Sequence, residues 1–246
     1  MKAKVRVACS DCRFARCESY RPLTNDERQW ISEYKIGDLV VGSGEPLLSE
    51  GATAPYLFTL YEGWAYRYKT LENGERQILN FCFPGDLLGL QGSMFGGLDH
   101  TVATLTECHF CVFPRDRVWD LFRSHPVLAY GLTWIASGQE RLLDNRILAL
   151  GKLNAESKIA HLIVSIHDRL KAANAVTGRG FRWPISQAEL GDCLGMTSVH
   201  VSRMFKKLVS RQLIALSRRQ MQILDMEALQ KLACYVPDGR EARPYL

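Results

Sequence analysis

The sequence predicts an α+β chain: an N-terminal double-stranded β-helix, or jelly-roll barrel, then one long helix, then a winged helix-turn-helix. Three observations carry this expectation. Glycines punctuate short apolar or alternating runs between about Tyr34 and Pro114. An apolar stripe with three- and four-residue steps runs from Pro126 to about Leu150. A capping box, a glycine and a basic amphipathic helix follow one another between Pro184 and Arg211. A chain of 246 residues fits two ordinary domains better than one.

In the first part, Gly42-Ser-Gly44, Gly51, Gly63, Asn73-Gly74, Gly85 and Gly96-Gly97 mark turns about ten residues apart, without helical segments between them. Trp64, Tyr66 and Tyr68 alternate with Ala65, Arg67 and Lys69. Asn73-Gly74 then tolerates positive φ and Gln77–Phe81 returns, which is a β-hairpin. Asp116–His125 reads as a short helix. From Pro126, well suited to a first helical turn, a longer helix extends to about Leu150. Its stripe resembles a dimer seam, with Leu132, Ile135, Leu143 and Ile147 expected to face a partner; the alternative is a helix packed on its own barrel. Asn154 to about Ala173 forms another amphipathic helix.

Ser186-x-x-Glu189 starts the next helix, which stops at Gly195; Met196-Thr-Ser198 opens a second. The second helix turns Val201, Phe205 and Leu208 to one side and His200, Arg203, Lys206, Lys207 and Arg211 to the other. Leu213–Leu216 and Met221–Leu224 then form a hairpin wing around Ser217-Arg218-Arg219-Gln220. Charge supports the same reading. From Gly151 to Leu246, 15 Lys/Arg stand against 8 Asp/Glu, a net +7 that leaves −2 for the first 150 residues. A basic helix-turn-helix points to DNA. Arg203 suits a guanine edge, and Ser198, His200 and Ser202 lie on the same leading turns. Lys206, Lys207, Arg211, Arg218 and Arg219 are placed for phosphates.

Other function classes find little support. No window approaches 18 uninterrupted apolar residues, and the first residues lack a signal-peptide pattern, so a cytoplasmic protein without membrane insertion is expected. No P-loop or Ser/His/Asp arrangement can be read. His100, His109, His125, His161 and His167 form no His-x-His or His-x₃-His pair, which counts against a jelly-roll metalloenzyme, the non-regulatory alternative. The eight cysteines read as thiols, ligands or redox groups before disulfides, and three of them, Cys9, Cys12 and Cys17, fall within nine residues.

The order of β-domain, long helix and winged helix-turn-helix resembles the cyclic-AMP receptor protein/FNR (CRP/FNR) family of bacterial transcription regulators, from about Cys9 to Cys234. The segments that carry it are Gly44-Glu-Pro-Leu-Leu-Ser-Glu-Gly51, Phe83-Pro-Gly-Asp-Leu-Leu-Gly89 and Gln187-Ala-Glu-Leu-Gly-Asp-Cys-Leu-Gly-Met-Thr-Ser-Val-His-Val-Ser-Arg203. The resemblance implies a homodimer on an inverted repeat of double-stranded DNA, working with RNA polymerase and without catalytic activity. It sets the domains at 1–30 for a cysteine segment, 31–125 for a cyclic-nucleotide-binding-like sensor barrel, 126–150 for the dimerisation helix and 151–246 for the DNA-binding domain.

In the family's recognition pattern of Glu, two residues, Ser, Arg, the last two fall on Ser202 and Arg203. Val199 replaces the glutamate and cannot accept a hydrogen bond from cytosine. Cyclic-nucleotide binders of the family carry an Arg-Ser/Thr pair, whereas Gly89–Thr101 contains no arginine, so no cyclic nucleotide is expected. The FNR branch instead holds an oxygen-labile [4Fe–4S] cluster on N-terminal cysteines and one from the β-domain. Here the resemblance assigns these to Cys9, Cys12, Cys17 and Cys111, the last because Cys111-Val-Phe-Pro114 matches that branch. Cys108 is the fallback, three positions away and on the other face of a regular strand. Zinc on the same cysteines, haem, direct thiol oxidation, another small effector and no cofactor are the alternatives.

Overall fold

The computed structural model describes residues 7–237, 243 and 244, and of Ser93, Met94 and Phe95 the backbone alone. Two compact units emerge. The first draws on residues up to Leu71, on Leu79–Glu140 and on Arg243; the second draws on Glu72–Ile78 and on residues 141–237.

The first unit opens with two 3-10 turns, Cys9–Asp11 and Arg13–Arg16, followed by helix α1 (Asn25–Tyr34). Thr24 starts α1 with a capping box: its hydroxyl accepts from the Glu27 amide, and the Glu27 carboxylate accepts from the Thr24 amide. The strands are β1 (Gly37–Val41), β2 (Pro46–Leu48), β3 (Tyr56–Glu62), β4 (Ala65–Thr70), β5 (Arg76–Cys82), β6 (Leu87–Leu88), β7 (Thr101–Thr104) and β8 (Cys108–Pro114). They form two four-stranded sheets, β1-β8-β3-β6 and β2-β7-β4-β5, which is the expected jelly roll. One expectation needs correction. A short helix, α2 (Leu90–Phe95), interrupts the all-β stretch, bracketed by Gly89 and Gly96, both at positive φ.

Two layers of apolar side chains hold this unit. Between the sheets lie Phe58, Leu60, Val102, Cys108, Phe110 and their neighbours. On the outer face of the β1-β8-β3-β6 sheet, a second cluster joins the cysteine segment to α1, to α3 (Val118–Ser124) and to the first half of α4 (Pro126–Lys152). Alternation along β8 makes this possible, because successive side chains point to opposite faces and so feed both layers.

Helix α4 corrects a second expectation. Leu132 and Ile135, each 5% exposed, are buried with Leu128 and Ala129 against this chain's own sheet and cysteine segment. They are core residues of the first unit. Leu143, Ile147 and Leu148, two to four turns further on, are exposed, Ile147 at 69%. A single stripe thus divides into a half used within the chain and a half left uncovered.

The second unit contains α5 (Ala155–Ala172), β9 (Gly180–Arg182), α6 (Gln187–Leu194), α7 (Ser198–Ser210), β10 (Ile214–Ser217), β11 (Gln220–Ile223) and α8 (Met226–Ala233). The wing gains a third strand, in the order β10-β11-β9. Its core includes Ile159, Ile163, Leu190, Val201, Leu208, Ile214 and Leu229. No helix among the described residues is long and apolar enough to cross a membrane.

Candidate functional site

Two sites emerge, one in each unit. In the second, local chemistry builds the helix-turn-helix. Ser186 and Glu189 form a reciprocal capping box at the start of α6, and Gly195 ends it in the left-handed region at φ 65°. The Met196 amide then donates to the Gly191 carbonyl at 3.1 Å. Gly191 is required here, since a Cβ would collide with the Met196 carbonyl oxygen. Thr197 caps α7, accepting from the His200 amide at 3.2 Å.

On α7, Val201, Phe205 and Leu208 are buried, and Ser198, Val199, Arg203, Lys206 and Lys207 are exposed; His200 and Ser202 are half-buried. Val199 stands 77% exposed on the leading turn. Lys207 and Arg211 are anchored as well as exposed. Both bind Glu156 of α5, at 2.5 and 2.6 Å, and the Glu156 side chain itself is 8% exposed. Burial alone would raise its pKa, but the bonds from Lys207 and Arg211 hold it below the ordinary glutamate value. At the wing tip Ser217 pairs with Gln220 across a two-residue turn, and Arg218 and Arg219 take φ of 48° and 60°. Asn and Gly fill such turns readily; for arginine each costs about 1–3 kcal/mol, a strain that concentrates at functional sites.

In the first unit, Cys9, Cys12 and Cys17 are buried in the same apolar cluster as Cys111 of β8. Cys9, Cys12 and Cys111 line one cavity together with Tyr20, Lys35 and Phe113. The strand separates the two β8 cysteines, since Cys108 lies between the sheets with its thiol directed at the Trp64 carbonyl, 3.1 Å away. Among the described residues, no three His, Cys, Asp or Glu side chains are grouped closely enough to hold a single metal ion.

Charge in this apolar site comes from Lys35, buried at the end of α1. Its ammonium donates to Asp38 at 2.9 Å and to the Val7 carbonyl at 2.8 Å, and Asp38 also pairs with His109 Nε2 at 2.8 Å. Burial alone would lower the Lys35 pKa; the bond to Asp38 and the nearness of Cys111 raise it, so the ammonium persists. Burial pushes the Cys111 thiol up to about 12, with Lys35 pulling the other way. A metal or cluster binding there would displace that proton, as thiolate ligation requires.

Sequence reasoning missed Lys35, Asp38 and Arg243. A lone lysine in Tyr-Lys-Ile has no pattern that marks it as buried, and Arg243 acquires its partners only through the fold. The capping signal Thr24-x-x-Glu27 was legible and would have located α1. In the barrel, Arg67 of β4 donates to Asn80 at 2.7 Å and to Gln139 of α4 at 2.5 Å. His100 is buried, and burial, with Arg67 adding to the effect, lowers its pKa to about 4.

Residues 20–125 match the cyclic nucleotide-binding domain and residues 157–232 the Crp-like helix-turn-helix domain. The chain is 30% identical over 226 residues to the transcriptional activatory protein AadR of Rhodopseudomonas palustris, covering 92% of this chain and 91% of that one. It is 26% identical over 227 residues to the anaerobic regulatory protein of Pasteurella multocida, covering 92% and 83%. The structure of FixK2 from Bradyrhizobium japonicum shares the fold with a TM-score of 0.73 and 23% identity, over 81% of this chain and 98% of that one.

Proposed function

Since this chain belongs to the CRP/FNR family of DNA-binding transcription regulators, we propose that its first unit senses oxygen or redox state through an iron–sulfur cluster on Cys9, Cys12, Cys17 and Cys111. The observation that carries this is their burial in one apolar layer on a single face of β8, with Cys108 on the other. Bound there, a [4Fe–4S] cluster would supply the oxygen-labile redox chemistry.

The donor set suits a cluster. Four thiols in one apolar layer match the number a [4Fe–4S] cube takes, one thiolate to each iron. Thiolate sulfur is the soft ligand that iron–sulfur chemistry selects. Beside Cys111 the Lys35 ammonium favours the thiolate, an effect that its ion-pair partner Asp38 opposes. Direct thiol oxidation is less well supported, since it needs exposed, low-pKa cysteines and Cys111 is buried with its pKa raised. The name of the Pasteurella relative, an anaerobic regulatory protein, agrees with this reading.

On the DNA side, Arg203 reads a guanine edge, while Lys206, Arg218 and Arg219 grip phosphates. Val199 can meet a thymine methyl where a glutamate would accept from cytosine. The chain works as a homodimer through Leu143 and Ile147 of α4, on an inverted repeat with half-sites about 10 base pairs apart.

The test is anaerobic purification of the wild type and of the eight single Cys→Ser variants, with iron and acid-labile sulfide analysis. Serine at position 9, 12, 17 or 111 should abolish the cluster, and at 82, 108, 193 or 234 should spare it. Wild-type protein without iron under strict anaerobiosis refutes the reading. Loss in Cys108→Ser with retention in Cys111→Ser overturns the fourth ligand.

A further inference from the structure

Arg243 lies ten residues beyond the end of α8, yet its contacts are with the cysteine segment of the first unit. Its backbone is paired on both sides of Tyr20: its amide donates to the Ser19 carbonyl at 2.7 Å, and its carbonyl accepts from the Arg21 amide at 2.8 Å. Its guanidinium donates to the Gly85 carbonyl and to the Asp86 carboxylate, both at 2.9 Å. Asp86 is buried, and its other oxygen accepts from the Phe83 amide. The guanidinium also stands over the Tyr20 ring, 5.7 Å from its centroid, and Tyr20 packs on Phe14 at 5.4 Å.

These contacts lead directly to the cysteines. The Tyr20 amide donates to the Cys17 carbonyl, and the Cys17 amide donates to the Phe14 carbonyl. Gly85 sits at φ 90° under the Tyr20 ring, where a Cβ would collide with the phenol oxygen, so the ring, the turn Phe83–Asp86 and Arg243 form one packed joint. The cysteine segment is built of 3-10 turns, whose i→i+3 bonds have poorer geometry than those of an α-helix and resist opening less.

We infer that Arg243 is a positioning residue for the cysteine segment: by joining Ser19–Arg21 to the Phe83–Asp86 turn it holds Cys17 in the layer that contains Cys12 and Cys111. What the segment is held for rests on the iron–sulfur reading. That Arg243 holds it does not. Arg243 and the cysteine segment therefore build one site, and on the iron–sulfur reading cluster retention depends on Arg243.

The test uses full-length Arg243→Ala and Arg243→Lys. In metal-free, reduced protein, iodoacetamide labelling is followed at each cysteine by peptide mass spectrometry. Arg243→Ala should speed labelling of Cys17 about tenfold by raising local opening, with Cys108 unchanged. Arg243→Lys keeps a positive charge beside Asp86 but loses the planar guanidinium over the Tyr20 ring, and should fall between. In anaerobically purified protein, bleaching of the visible spectrum in air should be faster in the same order. Unchanged Cys17 labelling in Arg243→Ala overturns the inference. So does an equal rise at Cys108, which would signal general loosening. If the wild type holds no iron, the cluster reading fails, and labelling alone still decides the role of Arg243.

Discussion

Glu156→Gln separates two roles of the basic residues beyond the recognition helix. The carboxylate is buried, and it accepts from Lys207 and Arg211 at 2.5 and 2.6 Å. Two charge-assisted bonds would contribute about 3–6 kcal/mol in a fully buried setting. Both cations are about half exposed, at 55% and 47%, so screening brings the pair towards about 2 kcal/mol in total. The amide keeps the shape and loses the charge. Hydrogen exchange at amides of α5 and α7 should therefore accelerate roughly thirty-fold at pH 7, provided that these helices open together.

The pH dependence has a definite sign. The Glu156 pKa is lowered in the folded protein, so its stabilisation is present above the ordinary glutamate value and is lost as pH falls through the folded one. Wild type and Glu156→Gln should differ at neutral pH and converge in acid. Losing the carboxylate also removes a competitor for Lys207 and Arg211, so non-specific DNA affinity should rise and its salt dependence steepen. Equal exchange rates at pH 7, or a difference that persists unchanged in acid, would refute the reasoning.

Two further perturbations test the assignments of α7 and α4. Arg203→Ala should lose about 1–3 kcal/mol on the preferred site and relax specificity at one base pair, whereas Lys206→Ala should weaken all sequences alike and lower the salt slope by about 0.9; fluorescence anisotropy across salt concentrations separates them. Ile147→Glu, at an exposed position, should leave the fold intact and give monomers by sedimentation, while Ile135→Ala, inside the first unit's core, should cost about 2–5 kcal/mol of stability.

The helix-turn-helix was legible because its signals are local. A capping box at Ser186 and Glu189, a left-handed Gly195 and a helix divided into apolar and basic faces all act within four or five residues, so the sequence contains both partners of each interaction. The hairpin turn at Asn73-Gly74 was legible for the same reason, and so was the opposition of Cys108 and Cys111, which follows from strand alternation alone. Periodicity along α4 showed an apolar stripe but not its neighbour. Leu132 and Leu143 belong to the same stripe, yet the first is buried on its own sheet and the second is exposed, because only tertiary packing brings a sheet face to one half. The cysteine site lies furthest from sequence reading. Its buried charge, Lys35 with Asp38 and His109, and its clamp, Arg243 on Asp86 and Tyr20, join residues up to 223 positions apart. Burial makes these charges matter, and burial is a property of the folded chain that no local pattern encodes.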